Sequence, residues 1–366
     1  MALYPRETRS LVLKKKTTPS FGYHFDAVLE TRPVPALKDG EVLVRIGAVS
    51  LNHRDLWQLK NLYPRTTADC VMGGDGVGTV IFAHHPKDPL IRRRVFFHPT
   101  RGWESNPDGP EEARLELLGG NPLGGIYSDF VVIHRMHVFP VPDYLPMVHA
   151  AAWPVAGVTG WRAVVIKANV KKGDNVLITG IGGGVALVSM QICLALGANV
   201  YVTSSSPQKI ARAQELGAID GVNYRDEAWP EHLGKILIAN AKNEGTALLD
   251  SVIDSAGGDI CAKSLKILKH GGIVVCYGMT SVPKIEFTMR EVLRNVELKG
   301  STMGSRKDLL DATAFMEKHR IVPEVSHVLR GLEEIHEGFK LLNEGAQIGK
   351  IVVKFPGREP DGSVRL

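Results

Sequence analysis

The chain has 366 residues, 44% apolar and 23% charged, enough apolar mass for two packed domains and too much for a disordered polymer. Its net charge of +5 is scattered, with 14–16 and 92–94 the only short basic runs, which excludes a nucleic-acid-binding patch. No apolar run reaches the ~18 residues of a membrane span. The four cysteines, Cys70, Cys193, Cys261 and Cys276, are too dispersed for a disulfide framework or a Cys-x-x-Cys zinc knuckle.

The opening residues mix Glu7 with basic side chains and lack the apolar core of a signal peptide, so a reducing, cytoplasmic setting is expected. The terminal Val-Arg-Leu only loosely echoes the peroxisomal Ser-Lys-Leu address and carries no weight. From 10 to about 139 the pattern is one of short strands between Pro and Gly signals, over 10–14, 41–49, 77–82, 95–97 and 127–133. The polar, Gly/Pro-rich stretch 101–121 reads as a long surface loop.

From about 147 helices alternate with strands. Helix is expected over 149–167, and strands over 176–178, 199–203, 221–223, 251–254, 272–277 and 298–302. Helices fill the intervals at 185–198, 207–216, 231–243 and 260–268. This alternation predicts an α/β fold with a doubly wound parallel (Rossmann) sheet. The tail adds helices over 306–318 and 332–342 and a closing strand over 349–355.

The strand at 176–178 runs directly into Thr-Gly-Ile-Gly-Gly-Gly-Val-Ala (179–186) and then an apolar helix. A glycine turn between strand and helix brings free N–H groups to a pyrophosphate with no Cβ in the way. Gly180, Gly182, Gly183, Gly184 and Val185 are therefore candidate dinucleotide contacts, with Ala186 as the last small residue of the fingerprint.

The residue ending the second strand, about 20 positions on, selects the cofactor, because a carboxylate there pairs with the ribose 2′-hydroxyl and repels a 2′-phosphate. That residue is Ser204, followed by Lys209 and, after the next strand, Tyr224 and Arg225. Hydroxyl, ammonium and phenol donors suit a phosphate dianion, which points to NADPH. The segment 204–207 also reads as a helix cap.

An ordered set of motifs carries a family resemblance. It comprises Ser-Leu-Asn-His-Arg-Asp-Leu (50–56), Gly-Gly-Asp-Gly-Val-Gly (73–78), Ala-Ala-Ala-Trp-Pro-Val-Ala-Gly-Val-Thr-Gly-Trp (150–161) and the glycine turn. Glu-Leu-Gly-Ala (215–218), Asp-Ser-Ala-Gly-Gly (254–258) and Gly-Lys-Ile-Val-Val (349–353) complete it. Over about 10–355 the chain resembles the medium-chain dehydrogenase/reductase superfamily, and within it the zinc-free quinone and enoyl reductase branch. The resemblance implies a β-rich GroES-like catalytic domain, 1–145 with 304–366, around a Rossmann domain, 146–303, with the active site in the cleft between them.

The places where zinc alcohol dehydrogenases of this superfamily carry catalytic metal ligands hold Asn52, Gly74 and Val155, and 92–125 contains no cysteine for a structural zinc. Zinc needs three or four thiolate, imidazole or carboxylate ligands, so no metal is expected. His53, beside Asp55, reads as a structural histidine. The resemblance further implies that Thr159 and Gly157 lie along the nicotinamide and diphosphate, and that Gly257, Gly278, Thr280 and Lys350 contact the cofactor.

Without a Lewis acid, hydride transfer favours acceptors with delocalised charge, such as quinones and α,β-unsaturated carbonyls. Asn52 can donate through its amide, and the resemblance implies that Tyr63 and Trp57 match aromatic residues of the quinone reductases. Asn52 and Tyr63 are thus the candidate catalytic residues orienting the carbonyl, with Tyr63 or water as proton source and Trp57 as substrate-pocket wall. The small-molecule acceptor itself is not encoded. By resemblance to the family's dimers a homodimer is expected, paired along a sheet edge at 272–277 with 284–287, a monomer being the alternative. Two alternatives remain open from sequence: a non-catalytic NADPH-binding protein of the same fold, and an alcohol dehydrogenase with unusual metal ligands.

Overall fold

The computed structural model describes residues 4–20, 22–120, 122–241, 247–358 and 364–365. The end of the helix expected over 231–243, position 121 of the long loop and Leu366 of the terminal tripeptide lie outside the described residues. The chain divides into two compact units, 1–155 with 305–307 and 322–366, and 156–304 with 308–321.

The first unit is built on a seven-stranded sheet. Its order is Val325–Arg330, Lys350–Lys354, Glu41–Ser50, Gly76–Ala83, Arg94–Phe97 and Val138–Pro140, with Phe130–His134 also paired to Glu41–Ser50. Val42, Val44, Ile46, Val80, Phe97, Ile351 and Val353 meet in one core, where each fully buried aliphatic or aromatic side chain contributes about 1.5–3 kcal/mol. The strand expected over 10–14 extends to Glu7–Ser20 and pairs antiparallel with Tyr23–Pro33. Part of the glycine motif at 73–78 is explained by packing: a Cβ on Gly76 would stand 3.0 Å from the Ala48 carbonyl of the neighbouring strand.

Register decides what this sheet brings together. Val352 opposes Ser50 across one antiparallel ladder and Gly76 opposes Val49 across the next. Continuing both ladders outward sets Lys350 beside Asn52 and Asp75 beside Ser50, as the Leu51 N–H to Ile351 carbonyl bond (3.0 Å) and the Ser50 N–H to Asp75 carbonyl bond (3.0 Å) show. Three residues separated by up to 298 positions thus share one sheet end.

The second unit is a six-stranded parallel sheet in the order Asp220–Val222, Asn199–Thr203, Asn175–Ile178, Leu249–Asp254, Leu268–Cys276 and Glu297–Gly300. That is the doubly wound Rossmann order, with the chain reversing direction of growth beside Asn175–Ile178. The helix Gly184–Leu196 that follows is apolar nearly all round, with Leu187, Val188, Met190 and Ile192 each about 1% exposed or less, as a helix packed against a sheet must be.

Three expectations are corrected. The helix expected over 149–167 is three pieces: Met147–Ala151, then Pro154–Trp161, which a proline at its first position can begin but not continue through, then a π-helical segment Arg162–Lys167. The stretch 272–277 is not a sheet edge, because Leu268–Cys276 pairs on both sides; the edge is Glu297–Gly300. Residues beyond 304 do not all belong with the first unit, since 308–321 packs with the second. The reason is a buried ion pair, Arg162 Nη1 to Asp308 Oδ2 at 3.2 Å, with side chains 2% and 9% exposed. No helix among the described residues is long and apolar enough to cross a membrane.

Removing one member of a buried ion pair strands the other charge, at a cost of about 3–5 kcal/mol. Arg162→Met is therefore expected to lower the unfolding free energy by about that amount in urea titration, whereas an exposed change such as Arg212→Met, at a surface pair, shifts it by less than about 1 kcal/mol.

Candidate active site

At the shared sheet end of the first unit, Lys350 Nζ donates to Asn52 Oδ1 (2.6 Å) and to Asp75 Oδ2 (3.0 Å). An ammonium only donates, so it fixes which face of the Asn52 amide is oxygen and turns Nδ2 toward Asp75 Oδ2 at 3.2 Å and the Ser50 carbonyl at 3.4 Å. Asp75 Oδ1 accepts from the Val155 N–H (2.9 Å). The Lys350 and Asp75 side chains are 6% and 0% exposed. Lys350, expected at the cofactor, is thus committed to Asn52 and Asp75, and the Asn52 amide, expected to be a donor to substrate, already donates to a carboxylate.

A second layer holds Asn52 in place as the residue that opens the short helix His53–Leu59. Asp55 Oδ2 accepts from the Asn52 N–H (2.9 Å) and from the Tyr127 hydroxyl (2.7 Å), and the Asp55 N–H returns to the Asn52 carbonyl (2.9 Å). Burial raises the Asp55 carboxyl above its ordinary value of 3.8 and raises the Tyr127 phenol well above 10.0. His53 is pushed down to about 4, first by burial and then by the Lys350 and Lys60 ammonium groups, so at neutral pH it is an uncharged structural ring.

The three places where this superfamily carries catalytic metal ligands hold no ligand side chain. Asn52 is hydrogen-bonded to Lys350, Val155 offers only its backbone, and at Gly74 a Cβ would stand 3.0 Å from Arg54 Nη2. Cationic groups, an ammonium and a guanidinium, therefore reach toward the places of two of the expected ligands. Among the described residues no group of three or more His, Cys, Asp or Glu could hold a metal ion. A resident catalytic zinc does not fit this side-chain set.

Tyr63 and the helix His53–Leu59 border a cavity of about 310 Å³, lined also by Arg54, Gln58, Arg65, Arg114 and Glu116. Burial raises the Tyr63 phenol above 10.0, and the Arg54 guanidinium lies 5.8 Å from its ring centre. Arg54 and Gln58, four residues apart, share a helix face; Trp57 lies off that face, with Lys60 Nζ 5.7 Å from its ring, and does not line the cavity. Asp75, Arg54, Gln58 and Tyr127 escaped sequence reasoning as functional residues. Only the pairing of strands distant in sequence could have signalled Asp75.

In the second unit the turn from Asn175–Ile178 into Gly184–Leu196 is braced from both sides. The Gly180 N–H donates to Thr203 Oγ1 (3.3 Å), the Ile181 N–H to the Thr203 carbonyl (3.0 Å), and Thr179 Oγ1 to Asp254 Oδ1 (2.6 Å). Gly180 has φ +63°, the left-handed region where glycine is favoured. Gly183 leads into the helix, so Gly184, Val185 and Ala186 present first-turn N–H groups. A Cβ on Gly182 would meet the Lys209 side chain at 2.7 Å, so Lys209 lies directly over the glycine turn. Burial lowers its pKa below the ordinary 10.5, because desolvation disfavours the ammonium form.

Ser204 Oγ accepts from the Ser206 N–H (3.1 Å), and Ser206 caps the helix Pro207–Glu215 with Pro207 at its first position, as the sequence reading of 204–207 expects. The Tyr224 hydroxyl reaches Ser205 Oγ (3.2 Å), which joins Tyr224 to the 204–206 turn. Thr159 is buried, its hydroxyl 3.8 Å from Met303 Sδ. Thr280 Oγ1 donates to the Ser255 carbonyl (3.0 Å), and Gly278 abuts Ser255. Gly257, at φ +78°, lacks a side chain because a Cβ would stand 2.5 Å from the Val282 carbonyl, a reason internal to the fold.

Comparison with known proteins agrees with both units. The family described as alcohol dehydrogenase GroES-like domain matches 38–143, and that described as zinc-binding dehydrogenase matches 184–318. The chain is 38% identical to the zinc-type alcohol dehydrogenase-like protein YogA of Leptosphaeria maculans, over 94% of this chain and 99% of that one. It is 28% identical to an acryloyl-coenzyme A reductase of Sulfurisphaera tokodaii, over 92% and 97% of the two chains. The solved structure of crotonyl-CoA carboxylase/reductase AntE in complex with NADP shares the fold, with a TM-score of 0.82 at 19% identity over 96% of each chain.

The pairing of a GroES-like β domain with a Rossmann sheet defines a nicotinamide-dependent class of oxidoreductase. The chain belongs to the medium-chain dehydrogenase/reductase superfamily.

Two outcomes test the first unit's polar cluster. Lys350→Met leaves Asp75 buried without its cation and is expected to cost about 3–5 kcal/mol of unfolding free energy, part of which the double change Lys350→Met with Asp75→Leu restores. His53 and His98, both lowered to about 4 from 6.5 chiefly by burial, bind fewer protons folded than unfolded between those values. Stability is therefore complete above pH 6.5 and falls as pH drops toward 4, by up to about 1.4 kcal/mol per pH unit for each ring. Urea titrations at pH 7.5, 6 and 5 measure the slope, and His98→Asn flattens it.

Proposed function

We propose that the chain is an NADPH-dependent, zinc-independent reductase that transfers hydride to a quinone or an α,β-unsaturated carbonyl. The observation that carries this reading is the buried Lys350 ammonium held by Asn52, at one of the places where a metal ligand would be expected, and by Asp75. Lys350 has three N–H donors, and two are spent on Asn52 and Asp75, leaving one for an acceptor oxygen. A fixed ammonium stabilises developing negative charge on that oxygen less strongly than zinc does, which suits acceptors that spread the charge themselves. Asn52 and Asp75 are then positioning residues, and Lys350 takes over the polarising role expected of Asn52.

NADPH, when bound, supplies the hydride. With an enone a C–H bond forms at the β carbon, the C=C π pair moves toward the oxygen held by Lys350, and a proton then returns to the α carbon. With a quinone, hydride and proton together give the hydroquinone. Tyr63, whose raised pKa keeps its phenol protonated at neutral pH, or water supplies that proton. Lys209, the hydroxyls of 204–206 and Tyr224 favour the 2′-phosphate, while Thr159, Gly278, Thr280 and Gly257 line the remainder of the cofactor trough. The acryloyl- and crotonyl-CoA reductase names among the similar proteins support the enoyl class of acceptor. The homodimer reading moves to the edge strand Glu297–Gly300, beside exposed Met289, Val292 and Leu293.

Turnover of enones, quinones and simple ketones with NADPH and NADH, with and without 1,10-phenanthroline, tests the reading. Chelator-resistant reduction of enones or quinones, but not simple ketones, is expected; chelator-sensitive alcohol oxidation would overturn it. NADPH bound but never oxidised across the panel would establish the non-catalytic alternative. Lys209→Ala is expected to cut the NADPH-over-NADH ratio of kcat/KM at least about tenfold, the worth of one charge-assisted hydrogen bond.

A further inference from the structure

The cavity beside Tyr63 is lined by an excess of positive charge. Arg54, Arg65 and Arg114 line it, and the one carboxylate in its wall, Glu116, faces the partly buried Arg101 guanidinium. Among the described residues none of the three cavity arginines forms an ion pair. Arg54 spends Nη2 on the Leu118 carbonyl, yet its Nη1 is buried with no hydrogen-bond partner. Gln58, only 4% exposed, donates Nε2 to the Gly119 carbonyl (2.6 Å) and leaves Oε1 without a partner.

A buried guanidinium N–H with no acceptor is costly and is ordinarily satisfied by protein, water or ligand. Three guanidinium groups without an ion pair among the described residues surround about 310 Å³, a volume at the lower end of small-molecule sites lined by forked donors that match carboxylate and phosphate oxygens. The cavity and the Lys350 cluster are joined through one short helix. Asn52 opens it, and the Arg54 guanidinium extends from it over Gly74, next to Asp75.

We infer that this cavity is an anion subsite for the acceptor: the physiological substrate carries a carboxylate or phosphate group that Arg54, Arg65 and Arg114 hold while its carbonyl is reduced. The inference rests on the reductase reading for the identity of the ligand as substrate. The anion site itself stands on the arginines alone. Tyr63, in the same wall, then touches the acceptor between its anionic group and its carbonyl, and Gln58 Oε1 accepts from a hydroxyl or amide N–H of the same molecule.

The test compares three acceptors that share one enone: 4-carboxybenzylideneacetone, its methyl ester, and the phosphate ester of 4-hydroxybenzylideneacetone. Wild-type enzyme is expected to prefer an anionic acceptor over the methyl ester at least about tenfold in kcat/KM, mostly through KM, as one charge-assisted hydrogen bond provides. Preference for carboxylate or for phosphate identifies the source of the anion. Arg65→Gln and Arg114→Gln, both at exposed positions where folding is least at risk, are expected to reduce the anionic-to-neutral ratio at least about fivefold each.

In parallel, calorimetric titration of the saturated ketone acid and its methyl ester into the full-length protein reads binding without turnover. Arginine-dependent binding of the acid with no reduction of any acceptor would retain the anion site and reject the reductase reading. Equal treatment of acid and ester in both measurements, or an unchanged ratio in both variants, overturns the subsite.

Discussion

The first unit is arranged around a lysine whose side chain is only 6% exposed. Taking an ammonium and a carboxylate out of water costs several kcal/mol each, and the Lys350–Asp75 pair recovers this only because Asn52, Val155 and the strand ends satisfy the remaining lone pairs. That requirement ties the C-terminal strand Lys350–Lys354 to the strand Glu41–Ser50 and to the Gly-Gly-Asp turn, since all three must be in register for the charge to be compensated. The second layer, Asp55 with Tyr127 and the Asn52 N–H, fixes the amide that in turn fixes the ammonium. Such a nested network tolerates little slack, because any unsatisfied member sits in a low-dielectric interior.

In a superfamily whose members include zinc enzymes, the places of the expected metal ligands are bordered here by side-chain cations, Lys350 and Arg54. A side-chain cation is more weakly polarising, and it is permanently tethered by covalent bonds rather than by ligand exchange. The second unit is built differently: its glycine turn is formed from backbone braced by Thr203 and Asp254, with first-turn N–H groups at the helix start and the Lys209 side chain lying against Gly182. In both units an electropositive surface is bordered by groups that cannot leave.

Much of the second unit was legible in the sequence. Apolar runs of strand length, alternating with helices and punctuated by glycine, have few three-dimensional solutions, and the parallel order found is the one such alternation favours. The misses there were local. Pro154 divides the helix expected over 149–167, and the strand at 272–277 lies inside the sheet because Glu297–Gly300 covers it. Burial of Arg162 against Asp308 draws 308–321 to the second unit, a contact across 146 positions that no local pattern announces.

The sequence by itself determined which residue types stand at the candidate site: an amide, a glycine and a valine in place of metal ligands, and a serine and a lysine in place of a carboxylate at the cofactor turn. These are properties of single positions, set by chemistry that each side chain keeps wherever it is placed. Tertiary structure alone decided the partnerships, giving Lys350 to Asn52 and Asp75 and gathering Arg54, Arg65 and Arg114 around one cavity. Such pairings arise from strand register and loop packing over long separations, where the energy lies in satisfying buried charge jointly and no short window of sequence contains both members.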